Sequence, residues 1–261
     1  MALVIGNSRL HWAMFKGNNL QQTWDTPHVT EAAIAHLPIS HLEHPQSPPS
    51  QIQLTPDLAA ILTTHPDLWI ASVVPQQTAL WQGYPNAHFI TLQHIPLQGL
   101  YPTLGIDRAL ALWGAVYQWQ APALVIDAGT ALTFTSANTE RHLIGGAILP
   151  GMQLQLRSLS QHTAALPLTE VNSTLPLPSR WASETPDAIR SGVIYGLLAT
   201  IQDFVTTWLQ AFPEGAIACT GGDSLLLVSY LQQVNPELAN RLMLVPHLVF
   251  YGMPALRFNW S

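Results

Sequence analysis

Four short polar clusters interrupt an otherwise apolar chain: Gly6-Asn7-Ser8, Gly105-Ile106-Asp107-Arg108, Asp127-Ala128-Gly129-Thr130 and Thr220-Gly221-Gly222-Asp223. A fifth, Gly145-Gly146 followed by Pro150-Gly151, carries no charge. Glycine lets a backbone come close to a ligand and aim its N–H groups at it. Helix N-termini add partial positive charge, which suits an anion. Each turn taken alone is plain hairpin geometry, but four of them at strand or helix junctions point toward a phosphate-bearing ligand. Asp107 and Arg108 open a helix. A carboxylate there stabilises the helix end by about 0.3–1 kcal/mol. It is equally suited to accept the proton of a substrate hydroxyl attacking a γ-phosphorus, and residue type alone leaves both roles open. Arg108 suits a bidentate grip on a carboxylate or phosphate. Asp127 ends a buried strand, where an unpaired carboxylate is costly. Metal coordination and capping of the Gly129-Thr130 turn are its two readings. Thr130 offers a hydroxyl and an N–H to a phosphate, and Gly221-Gly222, between a strand and a helix, can approach a nucleotide.

Composition narrows the chemistry. Lys16 is the only lysine, so neither a Gly-Lys-Ser/Thr phosphate loop nor a protein-kinase lysine is present. A phosphate site here must use backbone N–H groups, hydroxyls, amides, arginine or a bound cation. Charged residues make up 9% of the chain, against about 25% in an ordinary domain. With a net charge of −6, this argues against a nucleic-acid surface. No apolar run reaches a membrane-spanning length, and the N-terminus lacks a secretory pattern, so a cytoplasmic protein is expected. The single cysteine, Cys219, excludes an internal disulfide and reads as a small buried hydrophobe rather than a nucleophile.

These clusters need elements to position them. The pattern predicts strands on either side of Gly6-Asn7-Ser8 within 2–15 and a third near 22–26, forming a meander. A surface loop is expected over 36–53, where His36, His41 and His44 read as solvated. Helices are expected from Pro56, capped by Thr55, to about Thr64, and over 75–83. Buried strands are expected at 68–74 and 87–92. Helical spacing of Ala109, Leu110, Leu112, Trp113, Val116 and Tyr117 predicts a helix over 105–119. The same organisation then begins again. Strands are expected at 123–126, 132–137 and 142–149, and helices at 151–165 and 186–212, the latter bent near Gly192 or Gly196. A strand at 216–220, a helix at 223–233 and a last strand at 242–247 complete the set. Two α/β lobes, 1–119 and 120–261, are expected, with facing turns that enclose a cleft. The repeat is one of architecture and not of residues.

The ordered set Ile5-Gly6-Asn7-Ser8, Gly105-Ile106-Asp107-Arg108, Asp127-Ala128-Gly129-Thr130-Ala131, Gly145-Gly146 with Pro150-Gly151, Thr185 before Gly192, and Thr220-Gly221-Gly222 resembles the type III pantothenate kinases. Gly-x-Asp-Arg followed about twenty residues later by Asp-Ala-Gly-Thr-Ala is the specific pairing. The resemblance implies an α/β fold of two ribonuclease-H-like lobes, of the acetate and sugar kinase, Hsp70 and actin superfold. It implies ATP-dependent phosphorylation of pantothenate, the first step to coenzyme A, in a homodimer. Asp107 matches the catalytic base, and Tyr101, Gly105, Arg108 and Thr185 match pantothenate-binding positions, with Ile106 in the same run. Asp127 matches the ligand of a monovalent cation, K+ or NH4+. Thr130 and the segment Val4, Ile5, Gly6, Asn7, Ser8, Arg9, Leu10, His11 match ATP-binding positions. Mg2+ accompanies the ATP.

The first motif departs from the family's Asp-x-Gly-Asn-Thr-x-x-Lys. Val4 stands for the aspartate, Ser8 for the threonine and His11 for the lysine. Asp127 and the triphosphate are then expected to hold the metal, with Asn7 orienting phosphate oxygens. Two other readings remain at this point: a non-catalytic relative acting as an accessory factor for transcription, and a kinase or phosphohydrolase of the same superfold acting on another substrate.

Overall fold

A computed structural model describes residues 1–30, 56–172 and 175–257. The 36–53 loop with His36, His41 and His44, and the Thr55 cap, lie outside the described residues. The chain forms two compact units, one of residues 1–96, 101–110 and 249–261, the other of 97–100 and 111–248.

The first unit is built on a five-stranded sheet of β1 (Ala2–Ile5), β2 (Leu10–Lys16), β3 (Asn19–Thr26), β4 (Leu68–Ser72) and β5 (Ala87–Phe89), in the order β3-β2-β1-β4-β5. β1 pairs antiparallel with β2 and parallel with β4. All four β1 residues are buried. An apolar run without alternation is what a strand covered on both faces requires. Helices α1 (Pro56–Leu62) and α2 (Pro75–Trp81) supply Leu58, Leu62 and Trp81 to a core with Leu3, Ile5, Leu10, Trp12, Leu68 and Ile70. Trp12 is fully buried, stacks on Trp24, meets Trp81 edge-on and donates its indole N–H to Thr26 Oγ1 at 2.9 Å.

Helix α3 (Ile106–Trp119) leads to the second sheet, formed by β6 (Ala123–Ala128), β7 (Ala131–Ala137), β8 (Leu143–Pro150), β9 (Ala216–Thr220) and β10 (Met243–Leu244). Its order is β10-β9-β6-β7-β8, with β6 antiparallel to β7 and parallel to β9. In order of appearance, both sheets read third, second, first, fourth, fifth, so the architectural repeat expected from sequence is present. Helices α4 (Met152–Gln161), α5 (Thr185–Ala211), α6 (Ser224–Val234) and α7 (Pro236–Ala239) accompany this sheet, and α8 (Met253–Arg257) ends the described chain. Ile189, Val193, Leu197 and Ile201 of α5 join Ile126, Leu132, Phe134, Leu227 and Leu231 in one core.

Element ends differ modestly from the expectations. Strand β5 stops at Phe89 because Thr91 opens a 3-10 turn over Leu92–His94. Strand β10 keeps only two residues of the expected 242–247: Pro246 lacks an N–H to donate and His247 has positive φ. Helix α5 runs as one 27-residue element through Gly192 and Gly196. No helix among the described residues is long and apolar enough to cross a membrane.

Trp12 anchors the strand that begins with the polar β1–β2 turn. Trp12→Ala should lower unfolding free energy by about 3–5 kcal/mol, read from the urea midpoint.

Candidate active site

Each sheet places a polar turn directly after its middle strand. In the first, β1 ends at Ile5, and the Gly6–Arg9 loop returns the chain into β2, closed by the Gly6 N–H donating to the Arg9 carbonyl at 3.0 Å. Val4, Ile5 and Leu10 put their side chains into the core, whereas Asn7, Ser8 and Arg9 are exposed. His28 Nε2 lies 2.8 Å from the Gly6 carbonyl oxygen. At the head of β2, His11 is paired in register with Asp25 of β3, and His11 Nδ1 donates to Asp25 Oδ1 at 2.8 Å. Arg9 approaches the other oxygen of Asp25 at 3.9 Å.

The same unit carries residues 101–110. Tyr101 and Leu104 form a turn, and α3 starts at Ile106, with Asp107 in its first turn. Asp107 Oδ1 accepts the Arg108 backbone N–H at 2.8 Å. A Cβ on Gly105 would stand 2.5 Å from that oxygen, so a residue without a side chain is needed there. The Arg108 side chain is nearly buried and donates from Nη1 to the Tyr101 hydroxyl at 3.3 Å. Ile106 is buried, while Tyr101 is exposed. Burial raises the Asp107 pKa above the ordinary aspartate value. The Arg108 N–H, the Arg108 guanidinium and the His11 ring each pull it partway back. Asp107 therefore lies within electrostatic reach of both Arg108 and the head of β2.

In the second unit, β6 ends in Asp127-Ala128 and passes through Gly129-Thr130 into β7. Gly129 N–H donates to the Ala131 carbonyl at 3.0 Å, and Gly151 N–H to the Thr130 carbonyl at 2.9 Å. Thr130 itself is exposed. Beside Asp127 in register is Thr220 of β9, followed by Gly221 at φ +93°. A Cβ on Gly221 would fall 2.5 Å from both Asp127 Oδ1 and the Ala128 carbonyl oxygen. Glycine is thus required by space and by backbone angle alike. Asp223 N–H donates to the Ala128 carbonyl at 2.9 Å, tying the Gly221-Gly222 turn to the end of β6. Burial raises the Asp223 pKa. The Cys219 thiol is pushed up to about 12, first by burial and then by the Asp127 charge, so it is no nucleophile. Thr185 is the exposed first residue of α5.

The structure thus gathers the β1–β2 turn, Tyr101, Gly105, Ile106, Asp107 and Arg108 in one unit. It gathers Asp127, Thr130, Gly221 and Gly222 at one end of the sheet in the other, with Thr185 on a helix of that unit. Asp25 is the member that sequence reasoning missed. Only strand pairing puts it opposite His11.

The model of the type III pantothenate kinase family matches residues 1–207. A type III pantothenate kinase from Nostoc sp. is 51% identical over 257 residues, which span 98% of this chain and 93% of the relative. The chain belongs to the type III pantothenate kinase family. A second family member, from Synechocystis sp., is 41% identical over 256 residues, 98% of this chain and 89% of its own. Among solved structures, a Campylobacter jejuni protein named as a candidate transcriptional activator of the Baf family superposes with a TM-score of 0.61. It is 19% identical and covers 99% of this chain and 97% of its own. A Porphyromonas gingivalis protein named as a candidate N-acetylglucosamine kinase gives 0.50 at 12% identity, with 99% and 98% covered. These two likenesses bear on the fold alone. The fold is α/β, with two five-stranded sheets of one strand order, and is that of the acetate and sugar kinase, Hsp70 and actin superfold.

Because Asp107 binds its proton more tightly folded than unfolded, it favours folding below the ordinary aspartate pKa. That contribution is lost as pH rises through the raised value. Asp107→Asn keeps an oxygen for the Arg108 N–H and removes the buried charge. It should raise Tm at pH 7 and leave Tm at pH 3 little changed, by differential scanning calorimetry.

Proposed function

We propose that this chain transfers the γ-phosphoryl group of ATP to the primary hydroxyl of pantothenate, giving 4'-phosphopantothenate and ADP, with Asp107 as the base. The reading rests on one observation above the others. In a chain of this family, the carboxylate that opens α3 is held by the Arg108 N–H and lies in a buried setting that raises its proton affinity. A carboxylate so tuned accepts a hydroxyl proton more readily than a solvated one. As the substrate oxygen bonds to phosphorus, its proton passes to Asp107 and the bond to the ADP oxygen breaks. Little covalent work remains for the protein, so position and charge supply most of the rate gain.

The remaining residues take the following roles in this reading. Arg108, held by Tyr101, and Thr185 grip the pantothenate, with Gly105 and Ile106 shaping the approach to Asp107. The triphosphate is bound by the β1–β2 segment from Val4 to His11, where the buried Val4, Ile5 and Leu10 set the turn and Asn7 and Ser8 donate to oxygens. Thr130 and Gly221-Gly222 complete the nucleotide contacts. Asp127 holds a monovalent cation, K+ or NH4+. A carboxylate at the end of β6 supplies the oxygen ligand that such a cation seeks. Such an ion, with the Mg2+ that ATP carries, offsets phosphate charge. We place the enzyme in the cytoplasm as a homodimer. The exposed Ile144 and Ile148 on edge strand β8 support association, since an apolar sheet edge favours pairing with another surface.

Incubation with ATP should yield ADP and a phosphorylated acid only when pantothenate is present, and faster with K+ than with Na+. Mass spectrometry of the product decides the acceptor, and ADP formation independent of pantothenate would overturn the reading. Asp107→Asn should cut kcat by about 10²–10⁴-fold with KM for pantothenate nearly unchanged. In the parent, kcat should fall on the acid side at a pH above the ordinary aspartate range, and that limb should vanish in the variant. Sedimentation should give twice the 28.6 kDa chain mass, and Ile144→Lys with Ile148→Lys should shift it to the monomer.

A further inference from the structure

We propose that Asp25 is a positioning residue that turns His11 into the phosphate-facing cation of the β1–β2 turn. The inference rests on the reading that ATP phosphates occupy this turn. A triphosphate needs positive charge near it, yet the only lysine, Lys16, lies at the far end of β2. His11 is at the near end, and its two ring nitrogens face different groups. Nδ1 lies 2.8 Å from Asp25 Oδ1. An ionised carboxylate only accepts, so Nδ1 must carry the proton and the ring plane is fixed. Nε2 is then the nitrogen turned to the loop: it lies 3.4 Å from the point a Cβ on Gly6 would occupy. Gly6 has no side chain to fill that space, and His28 holds the Gly6 carbonyl from a different segment.

With a phosphate oxygen at Nε2, the ring donates from both nitrogens, Nδ1 to Asp25 and Nε2 to phosphate, and it carries positive charge in that arrangement. Arg9, at 3.9 Å from Asp25, adds charge on the exposed side. The electrostatic reach of the His11 ring to Asp107 places this group in the same neighbourhood as the base. The alternative is that His11 and Asp25 are simply a cross-strand pair that steadies the hairpin. That role would not distinguish nucleotide from pantothenate.

The test is a double-mutant cycle of Asp25→Ala and His11→Lys, since lysine carries its charge without a partner. Binding of Mg·ADP to the full chain is read by calorimetry, KM for ATP and for pantothenate by steady-state kinetics. Asp25→Ala should weaken nucleotide binding about tenfold and raise KM for ATP alone. In the His11→Lys background, the same change should cost less than about twofold. Asp25→Asn, which keeps an acceptor for Nδ1 without the charge, should fall between and serves if the alanine variant does not fold. In the nucleotide-free protein, ¹⁵N spectra should show the Nδ1-protonated pattern for His11 in the parent and its loss in Asp25→Ala. Parental nucleotide affinity in Asp25→Ala, equal losses for ATP and pantothenate, or an undiminished cost in the His11→Lys background would each overturn the proposal. Nucleotide binding without pantothenate-dependent turnover would fault the functional reading alone.

Discussion

The middle strand of each sheet is hemmed in by a partner strand on either side and by core packing, and this constraint governs where the protein can do chemistry. All of β1 is buried, and β6 is buried up to Asp127. Such strands must be apolar along their length because an unpartnered polar side chain within them costs several kcal/mol. Polar groups can therefore enter only where the strand runs out, at the turn that carries the chain to its antiparallel neighbour. Both sheets obey this. Gly6-Asn7-Ser8 follows β1, and Asp127-Ala128-Gly129-Thr130 straddles the end of β6. The two turns hold corresponding places in two sheets of one topology. The penultimate residue of the strand is Val4 in the first sheet and Asp127 in the second, so one sheet spends this position on the core and the other on a carboxylate. In the first sheet the nearest carboxylate to the turn's histidine comes instead from Asp25, on the edge strand β3.

The scarcity of charge sharpens the role of each ionisable group that is present. Few counter-charges are available in a chain with nine basic residues, so local backbone does much of the neutralising. Asp107 takes a hydrogen bond from the next residue's N–H, at a helix start whose dipole favours an anion. Burial nevertheless outweighs these interactions and leaves the carboxyl with raised proton affinity. A carboxylate held against its own solvation preference in this way lowers fold stability wherever it is ionised.

Most of the framework was legible before any coordinates. The continuous apolar runs at Ala2–Ile5 and Ala123–Ile126, each broken by a glycine turn, marked both middle strands, because burial on two faces writes itself directly into residue type. The helix starting at Ile106 was legible from the 3.6-residue spacing of Ala109, Leu110, Trp113 and Tyr117. Asp107, Arg108, Asp127 and Thr130 stood out as polar residues at junctions. The Asp25–His11 pair did not. Lys16 pairs with Asn19, and simple counting back along this hairpin sets His11 opposite Trp24. A register shift between Met14 and Phe15 moves the pairing by one residue and brings Asp25 across instead. A one-residue slip exchanges the two faces of a strand, and nothing in residue type near Met14 announces it. The shortness of β10 was likewise hidden, since the apolar run Leu242–Val245 reads as a longer strand.

Cys219 lies in β9 under the core of the second unit, its thiol proton held so firmly that almost no thiolate forms near neutral pH. Thiolate is the species that attacks disulfides and meets oxidants. The chain's one sulfhydryl is thus shielded from disulfide exchange and from peroxide alike. Changes in redox conditions accordingly find no reactive cysteine in this chain.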